Sequence, residues 1–351
     1  MKFPRAFLAV PGDLMTPTGG YLYDRRLLAA LRALDRDVMH IALPGTFPNP
    51  SPADRKTAAE QLATLPPEGP VIVDGLAFGA MDHAALTRIR APIVALVHHP
   101  LAEESGLDPA RRDALYRSER ENLSLAARVV VTSRHTAELL TSRYGVPSGR
   151  ITVARPGVDP PSGESRAADP PLILSVGILV PRKGHDVLLR ALEQIADQPW
   201  QAVIVGATRD TCYARQLAQL AATDALGRRV RIAGCVHADE LARLYQRASI
   251  FALATRYEGH GIVFDEASMH GLPIVSCAVG AVSETVAPGS GCLVPPEDPA
   301  AFANALDRVL GDATLRSTMA ASSRTAGAAL RGWDDTARRV ADVIDHVSAG
   351  G

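Results

Sequence analysis

The sequence predicts an α/β fold built from two Rossmann-like domains, and three features of the chain support this. Short β-branched apolar runs alternate with amphipathic stretches along the 351 residues, which is typical of βαβ units. The runs are continuous, as expected of strands buried on both faces of a parallel sheet. The pattern stops once, at Arg155–Pro171, where Pro, Gly, Ser and Asp dominate, and then restarts. We therefore predict domains at 1–160 and 170–332, with a final helix at 333–349 packed back onto the first domain.

The first half contains predicted strands separated by helices and loops. The strands are Ala6–Val10, Val38–Leu43, Val71–Val73, Ile93–Val97 and Val129–Thr132. The helices are Tyr21–Leu34, where leucines recur at helical spacing, and Arg111–Ala127. A Pro-rich loop is predicted at 44–52.

The second half repeats this alternation. Its predicted strands are Leu172–Val176, Ala202–Val205, Val230–Ala233, Ile250–Ala254 and Pro273–Ser276. Its predicted helices are His185–Ile195, Ala214–Ala222, Glu240–Arg247, Ile262–Met269, Asp298–Leu310 and Asp334–Val347. Ligands of such sheets bind beyond the carboxyl ends of the strands, so a cleft between the two domains is the predicted site.

The composition argues against several classes of protein. Hydrophobic residues make up 47% of the chain and charged residues 21%, as in globular enzymes rather than disordered chains. The net charge of −1 provides no field that would attract nucleic acid or an anionic membrane. The four cysteines form no CxxC pair and have no zinc spacing, so we expect reduced, mostly buried thiols in a cytoplasmic protein. The apolar run near the N-terminus is too short for a signal peptide or a membrane span.

The segment Thr255–Val275 is the most informative part of the sequence, since it follows a predicted buried strand and opens a helix. Gly259 and Gly261 would expose backbone amides at the helix start, where free N–H groups and the helix dipole bind phosphate. Glu258 precedes the helix, and Glu266 lies about 7–8 Å of helix rise beyond Gly261. One carboxylate would then face a sugar while the other accepts hydrogen bonds from ribose hydroxyls. The alternative is a capping arrangement with two solvated glutamates.

A second segment, Ser175–Leu189, carries two cations. Gly177 ends a predicted strand, and Arg182 and Lys183 precede a predicted helix. Cations in such a loop favour a diphosphate site. The chain contains only three lysines, which makes Lys183 more notable. Taken alone, an ordinary basic loop is the simpler interpretation, and the glutamates of the later segment favour the phosphate site.

The first domain offers further candidates. Gly19 and Gly20 lie between the first strand and the following helix, where the backbone would approach a donor phosphate or an acceptor. His98 and His99 follow a predicted strand, and either one would meet the sugar in the cleft, although a lone histidine is usually structural. The string Asp35–Arg36–Asp37 matches a metal-binding DxD pattern but lies at the amino-terminal end of a strand. We interpret it as a solvated turn and predict no metal site. GxGxxG and GxxxxGK[ST] are absent, so dinucleotide and P-loop interpretations lack their fingerprints.

These segments resemble the signature of retaining glycosyltransferase family 4, in which two glutamates lie in E-G-x-G-x-x-x-x-E-A. Glu258 and Glu266 occupy the glutamate positions, and VGILVPRKG resembles the family's V-G-x-L-x-x-x-K-G, with Lys183 at the diphosphate lysine. Other matching positions are Gly259, Gly261, Ala267, Gly271, Pro273, Val275, Gly19–Gly20, His98 and Pro156–Asp159. Two positions depart from the pattern. Ile178 stands where an arginine is common, with Arg182 available in the same loop to supply the charge, and His260 stands where an aromatic residue is common.

The resemblance implies a GT-B fold, a nucleoside-diphosphate-sugar donor, retention of anomeric configuration, and no requirement for a metal or cofactor. It implies catalytic roles for Glu258, Lys183, Arg182 and His98. It implies donor contacts for Gly19, Gly20, Gly177, Gly259, Gly261, Ile262, Val263 and Glu266. In this interpretation Glu258 positions the sugar and Glu266 holds the ribose.

The partners expected on this basis are the donor and an acceptor hydroxyl compound that the sequence does not identify, without nucleic acid. Membrane association is expected to be weak or transient at most, because acidic residues offset the arginines of Arg111–Arg128. Two alternatives stay open at this point: a sugar-nucleotide epimerase of the same fold, and a non-catalytic sugar-nucleotide-binding protein.

Overall fold

The computed structural model describes residues 5–161, 163 and 165–349. Contacts divide the chain into unit 1, Met1–Gly157 with Arg331–Gly351, and unit 2, Val158–Leu330. Each unit contains a six-stranded sheet in which neighbouring strands run parallel. The predicted α/β class with two Rossmann-like halves is confirmed. The start of the predicted first domain, residues 1–4, and two residues of the predicted linker, Ser162 and Glu164, lie outside the described residues.

Unit 1 has the strand order β2-β1-β3-β4-β5-β6. Its strands are β1 Ala6–Pro11, β2 Val38–Leu43, β3 Val71–Asp74, β4 Ile93–Val97, β5 Arg128–Val131 and β6 Ile151–Val153. Its helices are α1 Gly19–Ala33, α2 Pro52–Ala63, α3 Gly75–Phe78, α4 His83–Leu86, α5 Pro109–Leu125, α6 Arg134–Ser142 and, from the end of the chain, α14 Trp333–Ala349. The strand order reverses between β1 and β3, and ligands bind outside the carboxyl ends of strands at such a reversal.

Unit 2 has the strand order β12-β11-β10-β7-β8-β9, which is the order of the dinucleotide-binding Rossmann fold. Its strands are β7 Leu172–Val176, β8 Gln201–Val205, β9 Val230–Gly234, β10 Ala248–Leu253, β11 Ile274–Cys277 and β12 Gly291–Val294. Its helices are α7 His185–Gln194, α8 Thr211–Ala221, α9 Ala238–Arg247, α10 Ile262–Met269, α11 Val282–Thr285, α12 Pro299–Gly311 and α13 Ala313–Ala328. The order reverses between β7 and β10, so the loops after these two strands are placed for a ligand.

The continuous apolar runs are strands that are buried on both faces. In β1, Phe7 and Ala9 belong to one apolar cluster while Leu8 and Val10 belong to another. The second cluster also contains buried residues of α1 and of α14, including Trp333. The C-terminal helix therefore covers the sheet of unit 1 and is part of its core.

The prediction missed three longer helices, α2, α6 and α13, and two short strands, β6 and β12. Helix α2 begins with a capping box, in which Ser51 and Asp54 each accept from the other's backbone N–H. Only Ala58 and Leu62 of this helix are buried, so it shows no apolar stripe. The predicted loop at 44–52 therefore runs one residue into α2. Strands β6 and β12 have only three and four residues.

The four cysteines are all free. Cys277 is buried and Cys292 is partly buried, whereas Cys212 and Cys235 are exposed. The expectation of mostly buried thiols is therefore wrong for the last two. Among the helices that the structure describes, none is both long and apolar enough to cross a membrane.

Helix α5 contains a fully buried carboxyl group, Glu119. Its Oε2 accepts from the Leu101 N–H at 3.0 Å, and its Oε1 has no partner among the described residues. Burial raises the pKa of Glu119 to about 8 from its ordinary 4.5, against the lowering effect of the Leu101 hydrogen bond. Between these two values the folded protein keeps a proton that the unfolded chain has lost, so stability falls as the pH rises through this window.

We expect Glu119→Gln to stabilise unit 1 increasingly with pH, because the amide keeps an acceptor for Leu101 and never ionises. The melting temperatures of the variant and the wild type should be similar near pH 4.5. At pH 8 the variant should melt roughly 5 °C higher, which corresponds to about 2 kcal/mol. Thermal melts at both pH values test this, with exposed Glu121→Gln on the same helix as the control. A pH-independent difference would contradict the assignment.

Candidate functional site

The donor residues predicted in unit 2 follow β7 and β10, the two strands at which the order of that sheet reverses. Arg182 and Lys183 belong to a 3-10 turn, Pro181–Lys183, that leads into α7. Glu258 lies in the loop between β10 and α10. Because β7 and β10 are adjacent and parallel, these two loops meet at the same edge of the sheet.

The two loops are joined by an ion pair between Lys183 and Glu258. Lys183 Nζ donates to Glu258 Oε1 at 2.6 Å, and the Arg182 guanidinium lies 3.7 Å from Oε2. The Thr255 hydroxyl is 3.0 Å from the same Oε1. Burial alone would raise the pKa of Glu258, but the two cations outweigh it and hold that pKa below its ordinary value. Glu258 is therefore an ionised, buried carboxylate at neutral pH.

Backbone and arginine contacts brace the same loops further. Arg256 N–H donates to Arg182 O at 2.8 Å, and Arg182 Nη1 donates to Tyr257 O at 3.0 Å. The Arg256 guanidinium binds both carboxylate oxygens of Asp186, in the first turn of α7, at 3.0 Å each, and also contacts Glu297. A planar fork that binds a carboxylate with two nitrogens fixes geometry as well as charge. The loop of Lys183 and the loop of Glu258 are thus held in one arrangement.

The helices that follow these loops begin at glycine N-caps. Gly184 is the N-cap of α7 and Gly261 the N-cap of α10, and neither residue has a side chain to cap its helix. In α7 the Tyr213 hydroxyl accepts from the Asp186 N–H at 3.1 Å, whereas no described side chain caps the start of α10. In α10 the first two residues, Ile262 and Val263, are partly exposed, and Asp265 binds His260 Nε2 at 2.6 Å instead of the helix start. Uncapped N–H groups at a helix start attract an anion through their dipoles.

Glu266 lies in α10, partly exposed, and is bound by one neighbouring side chain. The Tyr245 hydroxyl donates to Glu266 Oε2 at 2.7 Å, and the Tyr245 ring stacks on His270 with centroids 5.1 Å apart. Burial raises the pKa of Glu266 to about 7, although the Tyr245 hydrogen bond works in the opposite direction. No described residue binds the other carboxylate oxygen, which can therefore accept a hydrogen bond from a ligand hydroxyl.

The remaining donor candidates of unit 2 are glycines with different surroundings. Gly177 follows β7, and a Cβ built on it would lie 3.2 Å from Lys183 Cγ and Cδ. The lysine stem therefore runs over the backbone of Gly177, which directs the ammonium group toward Glu258. Gly259 is buried between Glu258 and the start of α10.

In unit 1, His98 follows β4 and lies between two buried carboxylates. Its Nε2 is 3.1 Å from Asp24 Oδ1 and 3.4 Å from Asp74 Oδ2. Gly20, in the first turn of α1, lies close beneath the ring, since a Cβ there would be 3.4 Å from His98 Cδ2. Gly19 is exposed with open space around it.

The neighbouring His99 is in a different environment, because its Nε2 lies 3.6 Å from the partly exposed Glu104. The structure thus distinguishes the two histidines that the sequence left equivalent. His98 lies at the carboxyl edge of the sheet, near the reversal between β1 and β3.

The structure brings Lys183, Arg182 and Glu258 into direct contact, whereas the sequence interpretation gave them separate ligands. Four further residues were not foreseen: Asp24, Asp74, Tyr245 and Arg256. Asp74 carried a readable signal, since it ends a buried β-branched run and so had to lie at the carboxyl edge. Asp24 carried a readable signal too, because it is a charged residue on the leucine-rich face of α1. Tyr245 is a buried residue of α9 and Arg256 lies at the start of the loop after β10, and nothing in the sequence indicated the contact that either one makes.

Two protein-family models match complementary parts of the chain. A model described as Glycosyltransferase Family 4 matches residues 48–161, and one described as Glycosyl transferases group 1 matches residues 170–312. D-inositol 3-phosphate glycosyltransferase from Xylanimonas cellulosilytica is 33% identical over 243 residues, covering 64% of this chain and 58% of that protein. The enzyme of the same name from a Nocardioides species is 31% identical over 304 residues, covering 77% and 66%. The chain thus matches less than two thirds of the length of these relatives.

Solved structures share the fold. Sucrose-phosphate synthase from Thermosynechococcus elongatus superposes with a TM-score of 0.84 at 23% identity, covering 99% of this chain and all (100%) of that one. Anabaena HepE in complex with UDP and glucose gives a TM-score of 0.76 at 17% identity, covering 98% and 100%. At such identities the likeness establishes the GT-B fold that the sequence predicted.

Proposed function

The chain belongs to glycosyltransferase family 4, and from this membership we propose that it is a retaining glycosyltransferase that needs no metal ion. It transfers a sugar from a nucleoside-diphosphate sugar to an acceptor hydroxyl. The observation that carries the proposal is the arrangement of Lys183, Arg182 and Glu258 at the reversal of the unit 2 sheet, beside the uncapped start of α10. Such an arrangement meets a diphosphate with cations and N–H dipoles while presenting a carboxylate to sugar hydroxyls.

The proposed reaction breaks the bond between the anomeric carbon and the diphosphate oxygen and forms a bond to the acceptor oxygen on the same face. The acceptor proton passes to the leaving phosphate, so no protein nucleophile is required. Lys183 and Arg182 stabilise the negative charge that develops on the leaving group. Their charge is already in place before the reaction, since the Arg256–Asp186 pair and the backbone contacts hold their loop.

The proposed donor contact is supported by residues of this chain, and the proposed acceptor by the names of its relatives. Glu266 accepts ribose hydroxyl hydrogen bonds, supported by Tyr245 on its other oxygen. The acceptor is a hydroxyl compound, and inositol phosphates are the first to test, because the curated relatives are named for such an acceptor.

A donor screen followed by product analysis tests the proposal. UDP-, GDP- and ADP-sugars are first screened for the nucleotide that raises the melting temperature. The preferred donor is then incubated with and without acceptor, and nucleoside diphosphate release and the anomeric proton coupling of the product are measured. We expect acceptor-dependent release and the same anomeric configuration in donor and product. Altered sugar configuration without acceptor would identify an epimerase, and tight binding without turnover would identify a binding protein.

Donor affinity should depend on the charge of Glu266. Glu266→Ala is expected to weaken donor binding by about 10–100-fold at pH 8, since charge-assisted hydrogen bonds are worth about 1.5–3 kcal/mol. Because the pKa of this carboxyl is raised to about 7, wild-type affinity should also fall as the pH drops through 7. Glu266→Gln should abolish that pH dependence, and Tyr245→Phe should move it to higher pH by removing the hydrogen bond that favours the carboxylate. Calorimetric donor titrations between pH 6 and pH 8 decide this, and equal affinity in Glu266→Ala would remove the residue from the ribose site.

A further inference from the structure

Two buried aspartates and one partly exposed histidine meet at the carboxyl edge of the unit 1 sheet, and the family pattern places only the histidine. Asp24 comes from α1, Asp74 from the end of β3, and His98 from the residue after β4. Both aspartates are 1% exposed. Both also lie against the same ring nitrogen of His98, at 3.1 and 3.4 Å from Nε2.

The packing around His98 fixes the ring from several sides. Tyr23 of α1 lies edge-on to the ring with centroids 5.1 Å apart, and the backbone of Gly20 lies next to the ring, since a Cβ there would be 3.4 Å from His98 Cδ2. The His98 carbonyl accepts from the Thr132 hydroxyl at 3.1 Å. Among the residues that the structure describes, the charged groups that act on the ring are Asp24 and Asp74. No described residue binds the second ring nitrogen, Nδ1, and 17% of the side chain stays exposed.

The charges of the two aspartates determine the protonation state of the His98 ring. Two carboxylates on one nitrogen require that nitrogen to carry a proton, because a lone pair facing two anions would be strongly repelled. With Nε2–H donated to the aspartates, the negative environment favours a second proton on Nδ1. Burial works against the cation, but the aspartates outweigh it and raise the pKa of His98 to about 10.

We propose that Asp24 is a positioning residue that, together with Asp74, holds His98 in its doubly protonated form, so that Nδ1–H donates to a hydroxyl oxygen of the sugar substrate. This inference rests on the proposed glycosyltransferase function. Asp24 acts through the ring and touches no substrate. Because a doubly protonated ring has no lone pair, His98 is a hydrogen-bond donor and not a general base.

The protonation state of His98 is directly measurable without any activity. The protein is labelled with 15N-histidine, and the signals of its 10 histidines are followed with pH. The His98 signal is identified by its loss in His98→Gln. We expect both ring nitrogens to be protonated at about pH 8.5, where an ordinary histidine is neutral. In Asp24→Asn the midpoint should fall by about 1–3 pH units, because one of two adjacent opposite charges is lost.

The pH profile of turnover separates this role from a structural one. Wild-type kcat/KM should stay level between about pH 6 and pH 9 as far as His98 is concerned. Asp24→Asn should match the wild type at the low end and lose about 10–100-fold at the high end, where its ring becomes neutral and the charged hydrogen bond is lost. A loss that is equal at all pH values would indicate a purely structural aspartate and would overturn the inference.

Two further outcomes would also overturn it. The first is a neutral His98 at about pH 8.5 in the wild-type spectrum, a result that needs no variant to fold. The second is stoichiometric zinc uptake that Asp24→Asn abolishes, since the ligand atoms of the three side chains lie within 4.8 Å of one another and would then hold a cation in place of the proton. The pH titration of the His98 ring nitrogens can be interpreted without any measurement of catalysis. A protein without transferase activity but with a protonated His98 would contradict the proposed function and leave the charge assignment intact.

Discussion

Replacing Lys183 with alanine is expected to lower turnover by about 10²–10³, while removal of divalent metal by EDTA leaves turnover unchanged. A leaving diphosphate gains negative charge as its bond to the sugar breaks, and without a metal ion the protein must supply the opposing charge. Lys183 lies in the loop after β7, and its Nζ is held 2.6 Å from Oε1 of Glu258 in the loop after β10. This contact keeps the ammonium group in place before the donor arrives.

Matched variants separate the charge of Lys183 from its packing. Lys183→Met keeps an apolar stem over Gly177 and removes only the ammonium group, so its turnover should fall as far as that of Lys183→Ala. Arg182→Ala should cost less, because its guanidinium is 3.7 Å from Glu258 and donates to the Tyr257 carbonyl. Lys56→Ala is the control, since this lysine is exposed on α2.

The measurement is turnover of purified, chelated protein at a temperature where thermal melts show every variant to be folded. An absolute requirement for Mg²⁺ or Mn²⁺ together with near wild-type turnover of Lys183→Met would exclude the proposed diphosphate site. Loss of turnover in Lys183→Ala alone would instead mean that the stem matters and the charge does not.

Most of the fold was predictable because buried parallel strands leave a strong signal. Strands β4 and β7 and helix α10 begin and end where the sequence predicted, since each has a run of apolar residues bounded by Gly, Pro or polar residues. Helix α13 was missed because its sequence, ATLRSTMAASSRTAGA, buries only Met319, Ser323 and Gly327 and has no apolar stripe. The position of α13 depends on its packing against α10. A local sequence pattern contains no information about such a tertiary contact.

The candidate site was predictable in its residues and not in their pairing. Glu258 and Lys183 are 75 positions apart, and only the strand order, with β10 beside β7, brings their loops together. Sequence spacing gives the carboxyl end of each strand but not which strands are neighbours. The same reason hid the cluster around His98, where Asp24 and Asp74 come from different elements.

The join between the two donor loops also depends on one backbone position, Gly184. Its φ is +62°, and a Cβ there would lie 1.8 Å from the Ala254 carbonyl oxygen at the end of β10. A side chain therefore meets both the strain of a left-handed backbone, about 1–2 kcal/mol, and a collision that backbone movement must relieve. Gly184 is also the N-cap of α7 and directly follows Lys183, so this movement would displace the Lys183–Glu258 pair.

We therefore expect Gly184→Ala to destabilise unit 2 by about 3–5 kcal/mol, in the range of the most harmful single substitutions, and to abolish donor binding. The matched control is Gly234→Ala in the same unit, where φ is +66° but nothing lies within 4 Å of the added Cβ. That variant has only the backbone strain, so its melting temperature should fall by roughly 3 °C against roughly 10 °C or more for Gly184→Ala. Thermal melts and donor calorimetry on the two variants test the effect of the close contact between Gly184 and the Ala254 carbonyl oxygen. If the two variants lose stability equally and both bind donor, the contact between Gly184 and Ala254 does not hold the loops together, and the pairing of Lys183 with Glu258 must be maintained by the contacts of Arg256 and Arg182 between the loops.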